Sequence, residues 1–488
     1  MLALLALYGL HRLSLLARFR WGRERKRWRV PVRWPSVTVQ LPVYQERTVA
    51  ARLIRAVGQL RYPPGQLEIQ VLDDSTDETC AIVDAEIAQL RSRGLDAKVL
   101  RRTDRTGFKA GALAAGLECA SGELVCVFDA DFLPPQDFLV ELVGAFEDEQ
   151  VGMVQARWEH QNRIQSLLTR AESTLLDGHF VIEHTTRFDS GLFFNFNGTA
   201  GIWRREAILA SGGWQHDTLT EDLDLSYRAQ LAGWRFVYAP NVVAPAEVPT
   251  DIAAFRSQQR RWAAGSMQVA RKLTRRLLAA RQPLAVKLEA LAHLSGNVGY
   301  PLVLCLALLM PLQASFTGAR PVLFAPALFS VGLLPVLLFY GLSQSAIGRP
   351  WRARIVDVLA AVALGVGMSL GQTRAVFSGL RREIGVFVRT PKCGDAPPVR
   401  RYRSHGAGVP GLELAVAGWI AAGGAWAIEL GRWGTLPFLA LFVAGFGWVG
   451  ILSLQQWAAR ERPHRSGRDA RTQGAPCELS APHPTSTP

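Results

Sequence analysis

ELVCVFDAD (residues 123–131) is an apolar run ending in two carboxylates one residue apart, and EIQVLDD (68–74) ends in an acidic pair in the same way. Both runs have the length and boundaries of buried strands. SVTVQLPV (36–43) alternates and is rich in β-branched residues, 46–60 has helical periodicity, 77–93 and 107–120 read as helices, and 97–102 as a short strand. Pro134-Pro135 stops the strand path and starts the next helix, since proline is tolerated in a first turn. Such alternation predicts an α/β fold, a mostly parallel sheet with flanking helices. Sheets of this kind bind ligands at the carboxyl ends of their strands, which places Asp73, Asp74, Asp129 and Asp131 on one edge. The spacing of Asp129 and Asp131 suits a hard cation that bridges a diphosphate.

Three downstream stretches add to this edge. RTGFKAGALAAG (105–116) sets Lys109 and free backbone amides at a helix start, where an anion is welcome. LTEDLDLSYRAQLAGW (219–234) carries Thr220 in an N-cap-like position with Glu221 and Asp222 in the first turn; acids there also complement the helix dipole. QQRRWAAG (258–265) supplies Gln258, Arg261 and Trp262. Arginine forks suit phosphate, an indole face suits a sugar ring, and a Trp-anchored interfacial helix accounts for the same residues. FNFNGTAGIWRR (194–205) packs aromatics beside Gly198 and Gly201, where small residues permit close approach.

The chain has 488 residues and a net charge of +14, too long for one core. Five stretches, near 290–312, 321–343, 355–373, 412–430 and 434–456, are apolar enough to span a membrane; a sixth, at the N-terminus, is interrupted by His11 and Arg12 and reads as an uncleaved anchor. The predicted organisation is an anchor (1–17), a basic cytoplasmic linker (18–34), a cytosolic domain (35–287), a membrane region (288–458) with a basic loop (374–403), and a disordered basic tail (459–488). The basic residues cluster beside apolar segments, favouring lipid head groups and a cytoplasmic orientation over nucleic acid. Returning both loop and tail to the cytoplasm requires one early segment to be re-entrant; 355–373, with three glycines and Gln372, is the expected one. Four C-terminal spans are therefore preferred, with five as the alternative. The six cysteines show no metal spacing and are expected to be reduced.

In the order DDS (73–75), GFKAGAL (107–113), DAD (129–131), TED (220–222) and QQRRW (258–262), the chain resembles the processive membrane synthases of glycosyltransferase family 2, and in wording the mannan and glucomannan synthase-like branch. That resemblance implies a GT-A-type catalytic domain on a helical membrane region. It implies inverting, processive transfer of a hexose from GDP-mannose or UDP-glucose to a β-linked polysaccharide coupled to translocation, with Mg2+ or Mn2+ as cofactor. By position, Asp73 would contact the nucleotide base region with Asp74 beside it, Asp129 and Asp131 would hold the metal, and Asp222 would be the general base. Lys109 and Arg261 would assist and Trp262 would stack on the acceptor. FVRTPK (387–392) resembles the synthases' gating loop through Phe387, Thr390 and Lys392, with a divergent middle. The implied partners are a nucleotide sugar, a glycan acceptor and membrane lipids, with accessory subunits or a homo-oligomer left open and nucleic acid excluded. The implied location is a bacterial inner membrane. Transfer of one sugar to a lipid, or a silent polymer-conducting scaffold, are the alternatives. Asn297, Tyr300, Trp419 and Trp426 are the polar or aromatic residues available to line a tunnel.

Overall fold

The computed structural model describes residues 2–20, 22, 28–29, 31–312, 319–381, 394 and 411–461. Phe387, Thr390 and Lys392, most of the basic loop and the tail after 461 lie outside the described residues.

After the N-terminal helix α1 (Leu2–Arg18), the chain alternates β1 (Val37–Val43), α2 (Ala50–Val57), β2 (Leu67–Asp73), α3 (Thr79–Ser92), β3 (Asp96–Leu100), α4 (Phe108–Glu118) and β4 (Leu124–Val127). These are the elements predicted from periodicity, with helix ends shifted by a few residues. The second half of the domain departs from that alternation. It runs through α5 (Phe138–Leu142), β5 (Val151–His160), α6 (Leu167–Asp177), a π-helical turn (Gly178–His184), α7 (Thr185–Asp189), β6 (Gly201–Arg204), α8 (Arg205–Ala210), α9 (Glu221–Leu231) and β7 (Arg235–Ala246). The seven strands form one sheet in the order β3-β2-β1-β4-β6-β5-β7. β1 pairs in parallel with β2 and β4, whereas β6 is antiparallel to both β4 and β5.

That single reversal builds the site. Because β6 runs backwards beside β4, with Gly201 opposite Val127, the loop entering β6 meets the loop leaving β4. Residues 195–200 and 128–131 therefore share the edge at which β2 ends. The sheet is buried on both faces: Val39, Leu41, Ile69 and Cys126 pack in one cluster, Val125, Val127, Trp203 and Tyr238 in another. Gln45, Phe108 and Ala200 hold positive φ without being glycine, at roughly 1–3 kcal/mol each, and all three flank this edge.

α10 (Ile252–Ala279), which carries residues 258–262, follows the sheet, and the membrane half comprises α11 (Leu284–Leu294), α12 (Gly299–Leu309), α13 (Ala319–Ala346), α14 (Trp351–Leu380), α15 (Leu412–Glu429) and α16 (Leu436–Glu461). Among the described residues three helices are long and apolar enough to cross a membrane, Trp351–Leu380, Leu412–Glu429 and Trp433–Ala459. The pair Leu284–Leu294 and Gly296–Leu309, bent by 49°, makes a fourth if it is one span. This corrects the expected re-entrant segment: 355–373 is the middle of the unbroken 30-residue α14, and the bend falls at 294–296 instead. Of the three glycines that look like helix weakness, Gly365 and Gly371 face open space and Gly367 is there for packing. A Cβ on Gly367 would lie 2.2 Å from the Gly445 carbonyl oxygen, so α14 and α16 touch backbone to backbone.

α1 is a 17-residue helix packed along α13. The polar pair that interrupts its apolar run is structural: His11 bonds Glu289 at 2.9 Å and Arg12 pairs with Glu183. Further buried acids fasten the two halves together. Asp357 of α14 accepts from Arg170 of α6 at 2.7 Å, and Glu413 of α15 pairs with Arg256 of α10. Cys80, Cys119, Cys126 and Cys305 are free thiols.

Candidate active site

At the sheet edge lies a cavity of about 150 Å³ lined by Tyr44, Asp74, Arg105, Lys109, Asp129, Asp131, Gly198, Thr220, Glu221, Asp222, Gln258, Arg261 and Trp262. Seven separated stretches of sequence thus meet at one wall. Asp73, expected to face the nucleotide, does not line it. It is 1 % exposed, its Oδ1 accepts from the Ser75 amide at 3.0 Å and its Oδ2 from Arg101 Nε at 3.1 Å. Strand alternation turns neighbouring side chains to opposite faces, so Asp74 takes the cavity position and accepts from Arg102 Nε at 3.0 Å. Arg105 lies 3.1 Å over the Tyr44 ring, a cation–π platform beside Asp74 that motif spacing did not reveal.

Lys109, at the start of α4, donates to Asp129 Oδ1 and to the Gly198 carbonyl at 2.9 Å. Burial opposes its charge, but Asp129, Glu221 and Asp222 outweigh it and raise its pKa. The Asp129 amide is held by Thr199 Oγ1 at 2.9 Å. Asp129 and Asp131 offer hard oxygen ligands on one cavity wall, and no third metal-ligating group of His, Cys, Asp or Glu clusters with them among the described residues. This donor set fits Mg2+ or Mn2+, which take one or two carboxylates and complete their shell with water and substrate phosphate.

Asp222 sits in the first turn of α9, its Oδ1 accepting from the Leu223 amide at 2.8 Å. Burial and then Glu221 push its carboxyl up to about 7, against Lys109, the Leu223 amide and Arg261. Gly198, with φ +81°, backs onto it: a Cβ there would lie 2.9 Å from Asp222 Oδ2. Behind α9, the Gly265 face of α10 abuts Thr220, and the Leu219 amide donates to Gln268 at 2.8 Å. This contact sets QQRRW opposite TED.

A second cavity of about 540 Å³ adjoins the first and shares Trp158, Glu172, Asn197, Thr220, Asp222 and Trp262 with it. Its near part is polar, with Arg12, His179, Gln259, Asn297 and Tyr300; its far part reaches Leu306, Val366, Leu441 and Phe442 among the membrane helices. Asn297 and Tyr300 therefore line it, whereas Trp419 and Trp426 are absent from its wall and each is 42 % exposed. Sequence reasoning missed Tyr44, Arg105, Asn197 and His179. For Asn197 the signal available was its place beside Gly198 in FNFNG.

A half-parallel, half-mixed sheet with an acidic edge defines a GT-A-type nucleotide-sugar transferase fold. Residues 35–265 match the family model described as glycosyltransferase like family 2. The chain is 32% identical over 452 residues to a glucomannan 4-beta-mannosyltransferase of Arabidopsis thaliana, covering 86% of this chain and 81% of that protein. It is 38% identical over 315 residues to a probable glucomannan 4-beta-mannosyltransferase of Oryza sativa, covering 62% of this chain but 53% of that one, about half its length. Among solved structures, a mannosyltransferase from Pyrobaculum calidifontis in complex with GDP-Man and Mn2+ superposes with a TM-score of 0.51 at 22% identity, over 78% of this chain and 99% of that one. The chain belongs to glycosyltransferase family 2 and is similar to glucomannan 4-beta-mannosyltransferases. These sequence relatives are plant proteins and lend no support to a bacterial inner membrane.

Proposed function

We propose that this protein transfers a hexose from a nucleotide sugar, GDP-mannose or UDP-glucose, to a growing β-linked polysaccharide, with inversion and processively, and passes the product into its membrane region. The observation that carries this reading is the wall of Asp222 and Trp262 shared by the two cavities, one lined by acids, the other running among membrane helices. The donor's diphosphate is assigned to the side of Lys109, Asp129 and Arg261, its base to Tyr44, Asp74 and Arg105. Asp129 and Asp131 would hold Mg2+ or Mn2+, which when bound neutralises charge on the departing diphosphate. The acceptor hydroxyl enters from the larger cavity. Asp222 takes its proton as the oxygen bonds to the anomeric carbon and the bond to the diphosphate breaks; the nucleoside diphosphate leaves with the electron pair. A base with a pKa near 7 is matched to this task. Lys109 keeps its charge and pairs with the diphosphate side. The catalytic domain faces the cytoplasm, where nucleotide sugars are made and where the basic juxtamembrane residues belong.

The apolar far part of the larger cavity favours a second reading, transfer of a single sugar to a membrane lipid. One experiment separates the two: membranes containing the protein are given radiolabelled GDP-mannose or UDP-glucose with Mg2+ or Mn2+, beside Asp222→Asn, and the product is sized. A long, glycanase-sensitive polymer absent from the variant is expected. A single-sugar product in the lipid extract would replace processive synthesis, and no transfer from either donor would refute the proposal.

A further inference from the structure

The mouth between the two cavities carries an amide whose orientation follows from its neighbours. The Asn195 backbone carbonyl can only accept, and it lies 3.0 Å from His184 Nε2, so that nitrogen bears the proton. The same N–H also reaches Asn197 Oδ1 at 2.7 Å, which turns the amide oxygen toward His184 and the amide nitrogen toward His179. Asn197 Nδ2 then donates to His179 Nε2 at 2.8 Å. His179 must carry its own proton on Nδ1, which donates to Glu183 Oε2 at 3.0 Å. One carbonyl thus dictates opposite tautomers in two histidines whose ring centroids are 4.3 Å apart.

The π-helical turn makes the arrangement available. In an α-helix, residues five apart point about 140° away from each other, whereas i→i+5 bonding brings the fifth residue back over the first. His179 and His184 are five apart within Gly178–His184. Both ends of the chain of bonds are secured. Burial opposes the Glu183 charge, but Arg12 from α1 and Arg187 from α7 outweigh it and hold the carboxyl well below its ordinary range. Burial, with His179 and Arg187 beside it, keeps His184 neutral. The Asn197 backbone N–H donates to Gln155 Oε1 at 2.9 Å, and Gln155 Nε2 in turn donates to the Ala200 carbonyl at 3.0 Å. Asn197 itself is only half-buried, lines both cavities, and keeps one amide hydrogen and one oxygen lone pair for a further partner.

We propose that Asn197, locked by His179 and His184 in opposite tautomers, aligns the acceptor sugar with Asp222, the two histidines being positioning residues. This rests on the reading above that the acceptor enters through the larger cavity. A donor and an acceptor side by side match neighbouring hydroxyls of a hexopyranose. Protonating His179 would set two donors face to face at the Asn197 contact and release the lock. The charged or titratable groups around His179 are Glu183 and His184 on its own turn, Arg12 of α1, Arg187 of α7, and Glu289 and His293 of α11.

The test compares wild type, His179→Phe, His179→Gln and Asn197→Ala for nucleotide-sugar binding and for transfer to a β-linked manno- or gluco-oligosaccharide. Expected are a KM for the oligosaccharide raised about tenfold or more in the Phe and Ala variants, donor Kd within about twofold of wild type, and recovery in the Gln variant, whose side-chain oxygen accepts from Asn197. Imidazole 15N spectra should show His179 protonated on Nδ1 and His184 on Nε2, with both signals moving together in Asn197→Ala. Donor and acceptor constants worsening in parallel, an unmoved acceptor KM, or a proton on His179 Nε2 would overturn the proposal. A wild type that binds donor and transfers to no oligosaccharide would sink the function proposed above and the acceptor role with it; the 15N spectra would still report the lock separately.

Discussion

Replacing Asp222 by Asn should abolish transfer and stabilise the protein in base. A carboxyl raised from 3.8 to about 7 binds its proton more tightly in the native state than in the unfolded chain. Its contribution is complete below about pH 4 and is lost as pH rises through about 7. At about 1.36 kcal/mol per tenfold change in proton affinity, the ionised native state gives up about 4 kcal/mol. Glu221 shares the repulsion, so the Asn variant should recover about 2–4 kcal/mol. For a unit of 150–250 residues, where 1 kcal/mol is about 2–4 °C, that is a midpoint at least about 4 °C higher near pH 8.5. The assay is thermal unfolding of both proteins in the same detergent across about pH 4–9, without nucleotide. The difference should vanish in acid, open through neutrality and plateau above. A variant no more stable than wild type near pH 8.5, or an offset that ignores pH, would refute the reasoning that Asp222 is a desolvated, repelled carboxylate.

The same carboxyl should place an acid limb on kcat/KM, with activity dropping about tenfold per pH unit below about 7; a profile flat to about pH 5 would remove Asp222 as base. Gly198→Ala should cost about 100-fold or more in transfer while the protein stays folded, because the added methyl would lie 2.9 Å from Asp222 Oδ2 in a backbone held at φ +81°; near-normal transfer would show that the two loops separate freely.

Local pattern was enough for the first half of the catalytic domain. Alternation in 36–43 and helical spacing in the segments after it mark β1 to β4, because a parallel core repeats one rule with short connections. Beyond Asp131 it marked the start of α9 at Thr220 but not the remaining strands. β5, β6 and β7 and the π-helical turn went unread, since their partners lie far along the chain and their identity depends on the reversal of β6. The acidic motifs were visible as motifs, yet which carboxylate faces the cavity was not: Asp73 and Asp74 are neighbours, and the strand's pleat sends the first to Arg101 and the second to the cavity wall. The membrane segments were visible by length. Their geometry misled, because the glycine content of 355–373 reads as helix breaking, yet α14 runs unbroken and Gly367 is a contact point against Gly445.

Composition and order of residues by themselves determined that an acidic sheet edge is joined to a set of apolar spans, because hydropathy and strand periodicity are properties of short windows. Only the tertiary structure decided that Lys109, Asp129, Asp222 and Trp262 share one wall, that Asp73 stands outside it, and that His179, His184 and Asn197 lock at its mouth. Those facts depend on which way β6 runs, on a pleat and on a widened helical turn, and each is settled by packing between segments up to a hundred residues or more apart.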